Sequence, residues 1–285
     1  MPPSRRTCLS VPGGSERMLA RARSTMVDEV VIDLEDSVAP ADKDAARAMV
    51  VAAVRAGGWR AGSLAVRVNG LDTEYFAPDL AEIAGERVDS VIIPKVERSA
   101  DVRLVVEALA GRPVGLQLLI ETAAGLANAV SIASASPQVE TLIVGYADLA
   151  ASLGRPPIAP GEHPRDRWGA VLHAVLVAAR AAGVQAIDGP FFDIADVAGA
   201  RAWADYTRSL GYDGKWALHP TQVQPLAEAF TPSAAELQAA TALLAALQAS
   251  EAGGHGAALH GGEMIDEASR KHALGVLARG AARNA

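Results

Sequence analysis

The chain has 285 residues, a net charge of −7, a 50% share of hydrophobic residues with only 4% aromatic, and one cysteine. No basic run exists to neutralise phosphates, which excludes a general nucleic-acid binder, and Cys8 alone excludes an intramolecular disulfide or a zinc site of clustered thiolates. No apolar stretch is long enough to span a membrane, and Arg5 and Arg6 precede no signal-like segment, so the expectation is a soluble, cytoplasmic protein with no membrane partner.

Strand-like runs then alternate with helix-like runs to about residue 230. The predicted strands are Thr7 to Val11, Glu29 to Leu34, Ser63 to Val68, Asp89 to Pro94, Val114 to Glu121, Glu140 to Gly145, Gln185 to Ile187 and Lys215 to Leu218. Amphipathic or Ala-rich stretches follow each of them: Glu16 to Met26, Ala41 to Ala56, Tyr75 to Ile83, Ala100 to Ala110, Thr122 to Ala133, Arg167 to Ala182, Asp196 to Leu210 and Thr221 to Phe230. Eight β/α repeats without a central linker predict an α/β fold, a closed TIM (β/α)8 barrel over residues 1–230. An open doubly wound sheet is the runner-up, weakened because the usual dinucleotide fingerprint is absent. Leu153 to Trp168, rich in Pro and Gly, is expected to loop over the barrel mouth. Beyond the barrel, residues 231–285 form a C-terminal helical extension. A helix from Ser233 to Ser250 starts with a Ser cap and a downstream Glu, EAGGHGAALHGGEMID reads as a flexible segment, and a last helix runs from Glu267 to Ala282. This tail is too small to fold alone and is expected to pack on the barrel or on another subunit.

In such a barrel, function sits at the carboxyl ends of the strands. Those ends carry Asp33, Glu35 and Asp36; then Arg67 and Asn69; then Lys95, Glu121, Asp148, Asp188 and His219. A buried strand that ends in an acid needs the charge paired or bound to a metal. Glu121 and Asp148 on neighbouring strands suit an oxygen-rich Mg²⁺ site, with Arg67 sharing the stabilisation of an oxyanion. Each residue also has a structural reading. Glu121 and Asp148 could cap helices, and Asp33, Glu35 and Asp36 could pair with Lys43 or Lys95 as support for the ligands. Arg67 could be a buried ion-pair partner, His219 a residue that starts a helix, and Cys8 a small core residue.

PGGSERM, VIDLEDSVAPADKDAAR, VRVNGLDT, VIIPKVE, IETAAG, GYADLAASLG, IDGPFFDIAD, GKWALHPTQV and GGEMIDEAS resemble, in this order, the citrate lyase β-subunit-like group of the HpcH/HpaI aldolase superfamily. GKWALHP and DGPFFD are most similar to the malyl-CoA and β-methylmalyl-CoA lyases. The resemblance implies a Mg²⁺-dependent (or Mn²⁺-dependent) homotrimer or hexamer that cleaves a 3-hydroxyacyl-CoA in a reversible Claisen-type reaction, with CoA as part of the substrate. It assigns Mg²⁺ to Glu121 and Asp148, and the substrate and enolate oxygens to Arg67. Main-chain amides from Gly145 through Ala147 to Asp148 would receive the keto-acid carboxylate. Asp266 would reach a neighbouring subunit's site and exchange the proton at the acetyl methyl carbon. CoA would lie over Ser10, Val11, Arg21, Leu218 and His219. Many relatives carry a basic residue soon after PG, where this chain has Ser15, with Arg17 or Arg21 near enough to substitute.

The same residues admit a thioesterase that hydrolyses malyl-CoA, and a subunit that holds CoA or an acyl carrier without turnover. The full set Arg67, Glu121, Asp148 and Asp266 argues against the last. Acyl-chain identity and stereochemistry do not follow from the sequence, because one pocket methylene discriminates by only about 1–3 kcal/mol.

Overall fold

In the computed structural model, residues 3–156 and 164–281 are described. Eight parallel strands close into a barrel in sequence order. They are β1 (Thr7–Pro12), β2 (Glu29–Asp33), β3 (Ser63–Arg67), β4 (Ser90–Ile93), β5 (Gly115–Ile120), β6 (Val139–Val144), β7 (Gln185–Asp188) and β8 (Gly214–Ala217). The last strand pairs back onto the first through Cys8 and Trp216, which closes the ring. The TIM barrel expected from the β/α alternation is the observed fold.

The surrounding helices are α1 (Glu16–Arg23), α2 (Lys43–Ala56), α3 (Phe76–Ile83), α4 (Ser99–Ala108), α5 (Ala123–Ala127), α6 (Ala129–Ala133), α7 (Tyr146–Ser152), α8 (Pro164–Ala182), α9 (Val197–Leu210) and α10 (Pro220–Phe230). Their starts follow from local chemistry. The Ser15, Thr122 and Asp196 side chains each accept a main-chain N–H three residues on, which satisfies a donor that the helix cannot. One helix expected from Thr122 to Ala133 is instead two, α5 and α6, which meet at Asn128. Its side-chain amide leaves the helical path to donate to Glu97 O at 2.9 Å.

Side chains two residues apart share a strand face, and this period divides the barrel interior into layers. Glu29, Ser63, Ser90, Gln117 and Thr141 form the amino-end layer. Gln117 Nε2 donates to Glu29 Oε1 at 2.9 Å, a contact between non-adjacent strands that only the interior permits. The middle layer is apolar: Cys8, Val31, Ala65, Ile92, Leu119, Ile143, Ile187 and Trp216 pack together, with Cys8 as the small core residue expected. Two residues further on, Asp33, Arg67 and Glu121 reach the carboxyl-end rim. The opposite strand faces carry Val30, Ile32, Leu64, Val66, Leu118 and Ile120, all buried, each contributing about 1.5–3 kcal/mol of transfer free energy.

By internal contacts the chain divides into Met1–Ala227 and Glu228–Ala285. In the second unit, α11 (Ala234–Ala252) begins with the expected Ser233–Glu236 capping box and packs on α12 (Glu267–Ala281) through Ala240, Ala273 and Val276. The segment expected to be flexible contains a β-hairpin instead, β9 (Ala258–His260) and β10 (Glu263–Ile265). Gly261 and Gly262, at φ 61° and 86°, supply the positive angles that a two-residue hairpin turn needs. The centre of the loop expected over the barrel mouth, residues 157–163, lies outside the described residues, as does Ala282. Among the described residues, no helix is long and apolar enough to cross a membrane.

Candidate active site

The carboxyl-end rim encloses a cavity of about 370 Å³. Strand register, not chain proximity, assembles it. Asp33 and Arg67 are paired across β2 and β3, and Arg67 donates from Nε to Asp33 Oδ1 at 2.7 Å and from Nη2 to Oδ2 at 2.8 Å. This two-pronged pairing leaves Nη1 for Glu35 Oε2, 2.7 Å away, while Asp36 stands further off at 3.6 Å. Burial would raise the Asp33 carboxyl, but the Arg67 guanidinium beside it more than reverses this and holds it below the ordinary range. Arg67 is pushed upward in turn by Asp33 and Glu35 against its own desolvation, and it remains a fixed cation. Its guanidinium carbon lies 5.7 Å from the centre of the Trp216 ring. Lys43, offered by the sequence as a carboxylate partner, donates to the main-chain oxygens of Leu34 and Glu35 at 2.8 and 2.6 Å, bracing the turn after β2.

Glu121 follows β5 and is 2% exposed. It does not cap a helix: Thr122 caps α5, and Glu121 Oε1 accepts the main-chain N–H of Lys95 at 2.8 Å. A Cβ on Gly145 would lie 2.3 Å from Glu121 Oε2, so the close approach of β6 to this carboxylate requires glycine. Burial, with Glu35 nearby, pushes the Glu121 carboxyl up to about 7 against the pull of Arg67 and Lys95. The cations present therefore do not balance this acid. Asp148, in the first turn of α7, lines the same cavity with its side chain 37% exposed and 3.7 Å from Lys95 Nζ. Lys95 pairs more closely with Glu35, at 2.5 Å, and holds φ at 52°, an angle uncommon outside glycine. Among the described residues no group of three or more His, Cys, Asp or Glu is placed to hold a metal ion. A cation here would rest on two carboxylates and take its remaining ligands from substrate and water, a donor set that suits Mg²⁺.

The cavity brings together Ser10, Asp33, Asp36, Arg67, Glu121, Gly145, Ala147, Asp148 and Leu218 of the residues singled out in the sequence. Three of the proposed CoA contacts do not line it. Val11 is on the other face of β1 from Ser10 and Pro12, buried towards the helices. Arg21 is exposed on α1. His219 uses Nδ1 at the start of α10, 2.9 Å from Thr221 Oγ1 and accepting the Thr221 N–H. In the second unit, Asp266 Oδ1 accepts the N–H groups of Ala268 and Ser269, and so caps α12.

The sequence reading passed over Tyr146, Trp216, Pro190 and Phe192, which complete the cavity wall. The period-two pattern places Trp216 two residues before Leu218 and so could have found it. Tyr146 and Phe192 also border a second, largely apolar cavity of about 590 Å³ with Trp168 and Trp203.

The fold and rim define a (β/α)8-barrel protein with an acid- and arginine-lined mouth suited to a divalent cation and an anionic oxygen ligand. The chain belongs to the HpcH/HpaI aldolase/citrate lyase family, whose description matches residues 6–220. It is 39% identical to an L-malyl-CoA/β-methylmalyl-CoA lyase of Cereibacter sphaeroides over 95% of this chain and 94% of that one. It is 36% identical to a (3S)-malyl-CoA thioesterase of the same species, over 92% of this chain and 89% of the relative. Among solved structures, CitE of Mycobacterium tuberculosis in complex with magnesium, acetoacetate and coenzyme A superposes with a TM-score of 0.81 at 33% identity, covering 96% of this chain and 97% of that one.

Proposed function

We propose that the protein is a Mg²⁺-dependent lyase that cleaves a 3-hydroxyacyl-CoA such as malyl-CoA, β-methylmalyl-CoA or citramalyl-CoA. The products are acetyl- or propionyl-CoA and glyoxylate or pyruvate. The observation that carries this reading is the shared cavity of Arg67, Glu121 and Asp148, in a chain that aligns along nearly its whole length with a lyase of such esters. Glu121 and Asp148 would hold the ion, which supplies Lewis-acid polarisation of the keto-acid carbonyl. In the cleavage direction the 3-hydroxyl gives its proton to solvent water, the adjacent C–C bond breaks, and its electron pair passes to the thioester as an enolate. Arg67, held rigid by Asp33 and Glu35, keeps N–H groups on Nη1 and Nη2 for that oxyanion. Main-chain amides of the turn from Gly145 to Asp148 take the keto-acid carboxylate.

An acid must then protonate the enolate carbon, and we assign this to Asp266 of a neighbouring subunit in a homotrimer or hexamer. The hairpin that leads into Asp266 supports such an assembly. Leu259 and Met264 are paired across its strands and are 78% and 74% exposed, an apolar face of the kind that a subunit contact covers. Mixing Asp266→Ala with Arg67→Ala subunits is expected to restore turnover; no recovery after confirmed subunit exchange would remove the arrangement.

Thioester hydrolysis is the second reading, favoured by the malyl-CoA thioesterase relative. Mass spectrometry of products from the three esters, with Mg²⁺ and with EDTA, separates the two. The lyase yields an acyl-CoA and a keto acid only with Mg²⁺. The thioesterase yields CoA and the intact hydroxy acid.

A further inference from the structure

Behind the turn that carries Asp148 is a buried polar group that the cleavage chemistry does not use. Asp188 ends β7 and Lys215 lies on β8, and both are fully buried. Lys215 Nζ donates to Asp188 Oδ2 at 2.7 Å and to Gly189 O at 2.5 Å. The other Asp188 oxygen accepts the Tyr146 hydroxyl at 2.5 Å. The Tyr146 ring stands edge-on to Trp168 and Trp203, with centroids 4.9 and 6.3 Å away.

Two features separate this group from ordinary core packing. A buried ion pair gives little net stability over apolar side chains of the same volume, because desolvating both charges offsets their attraction. On the same helix-facing side of these strands the neighbours Leu142, Val144, Ala186 and Ala217 are apolar and buried, so apolar packing was open to these positions. The pair also reaches outside its own strands to hold a residue of the β6–α7 turn. Gly145 and Ala147 have no side chain long enough to fix that turn, and Asp148 lines the cavity. Tyr146 is its anchor.

We propose that Asp188, oriented by Lys215, is a positioning residue that acts through the Tyr146 hydroxyl to fix Asp148 at the rim for the cation. This rests on the reading of Asp148 as a Mg²⁺ ligand. A partner that hydrogen-bonds a metal ligand directly is worth about 10–100-fold in metal affinity, and the Tyr146 hydroxyl, which acts through the main chain of the turn, is expected at the low end. Tyr146→Phe deletes only the hydroxyl oxygen and keeps the ring between Trp168 and Trp203.

The test is calorimetric titration of the full-length protein with Mg²⁺, and with Mn²⁺ as a second probe, without substrate. It is paired with the Mg²⁺ activation constant and kcat at saturating Mg²⁺. Tyr146→Phe is expected to weaken both Mg²⁺ binding without substrate and Mg²⁺ activation by about tenfold. A second variant, Asp188→Leu with Lys215→Met, replaces the pair by apolar side chains and should fold with the same loss of Mg²⁺ affinity. Mg²⁺ affinity within about twofold of the parent, in whichever variant is folded by circular dichroism, overturns the proposal. Weakened Mg²⁺ binding in a protein that turns over no CoA ester would leave the positioning role standing and remove the lyase reading. Normal Mg²⁺ affinity with normal lyase turnover would do the reverse.

Discussion

The two ends of the barrel interior hold polar groups of similar kind to opposite effect. At the amino end, Arg5 donates to Glu29 at 2.8 Å, to Gln185 at 2.8 Å and to Glu140 at 2.5 Å, while Gln117 joins Glu29 to Ser90. Each of the three guanidinium nitrogens donates to a protein oxygen, and Arg5 is 1% exposed. At the carboxyl end, Arg67 is held nearly as firmly but borders an open cavity. There Asp33, Glu35, Asp36, Glu121 and Asp148 outnumber the cationic groups of Arg67, Lys43 and Lys95. A sealed network gives rigidity. One whose carboxylates and guanidinium line a cavity keeps hydrogen-bonding capacity directed at a ligand. The contrast locates function more firmly than the presence of charge does, since both ends have it.

The largest expected effect is on the open end. Asp148→Asn keeps shape and removes a ligand charge, and should lower Mg²⁺-dependent turnover by more than about a hundredfold with little change in stability. Full turnover in that variant would remove the metal assignment. Arg67→Met should break both properties at once. It leaves Asp33 buried without its cation and Glu35 with Lys95 alone, a loss of about 3–5 kcal/mol in a urea titration, and turnover per folded molecule falls as well. Arg5→Met leaves Glu29 in the same predicament and should cost a similar 3–5 kcal/mol or somewhat less, because Gln117 and Ser63 still donate to it. Turnover and Mg²⁺ affinity per folded molecule should be unchanged. If Arg5→Met alters Mg²⁺ affinity, the apolar middle layer does not insulate the two ends and the comparison fails.

How much of this was legible in the sequence depends on which rule each feature obeys. Strand-end acids stand out because a charge closing a buried apolar run must be paired or bound, and Glu121, Asp148 and Arg67 do share one cavity. Val11 shows why alternation matters: Ser10 and Pro12 face the cavity, and the residue between them faces the helices. Tyr146 and Lys215 were passed over for another reason. Their pairing through Asp188 joins β7 and β8 to the first residue of α7, and only the closed register shows which side chains meet. The hairpin was lost to composition, since glycines that suggest flexibility also supply the turn angles that order it.

The smallest effect bears on how the open end keeps its geometry. Lys95 holds φ at 52°, whereas no residue of the sealed network has a positive φ. A Cβ in this conformation costs about 1–2 kcal/mol. Two bonds oppose that strain: the Lys95 main-chain N–H to Glu121 and the ammonium to Glu35. Lys95→Ala and Lys95→Gly both lose the ammonium and both keep the N–H, so the difference between them isolates the backbone. Glycine ordinarily destabilises relative to alanine through the freedom it gains in the unfolded chain. Here the order should reverse, with Lys95→Gly more stable than Lys95→Ala by about 1 kcal/mol in paired urea titrations. If alanine is the equal or better residue, the turn after β4 is relaxed and Glu121 is held by ordinary packing. If glycine is better, the open end stores strain that the sealed end does not, and it does so at the residue whose N–H orients the proposed metal ligand.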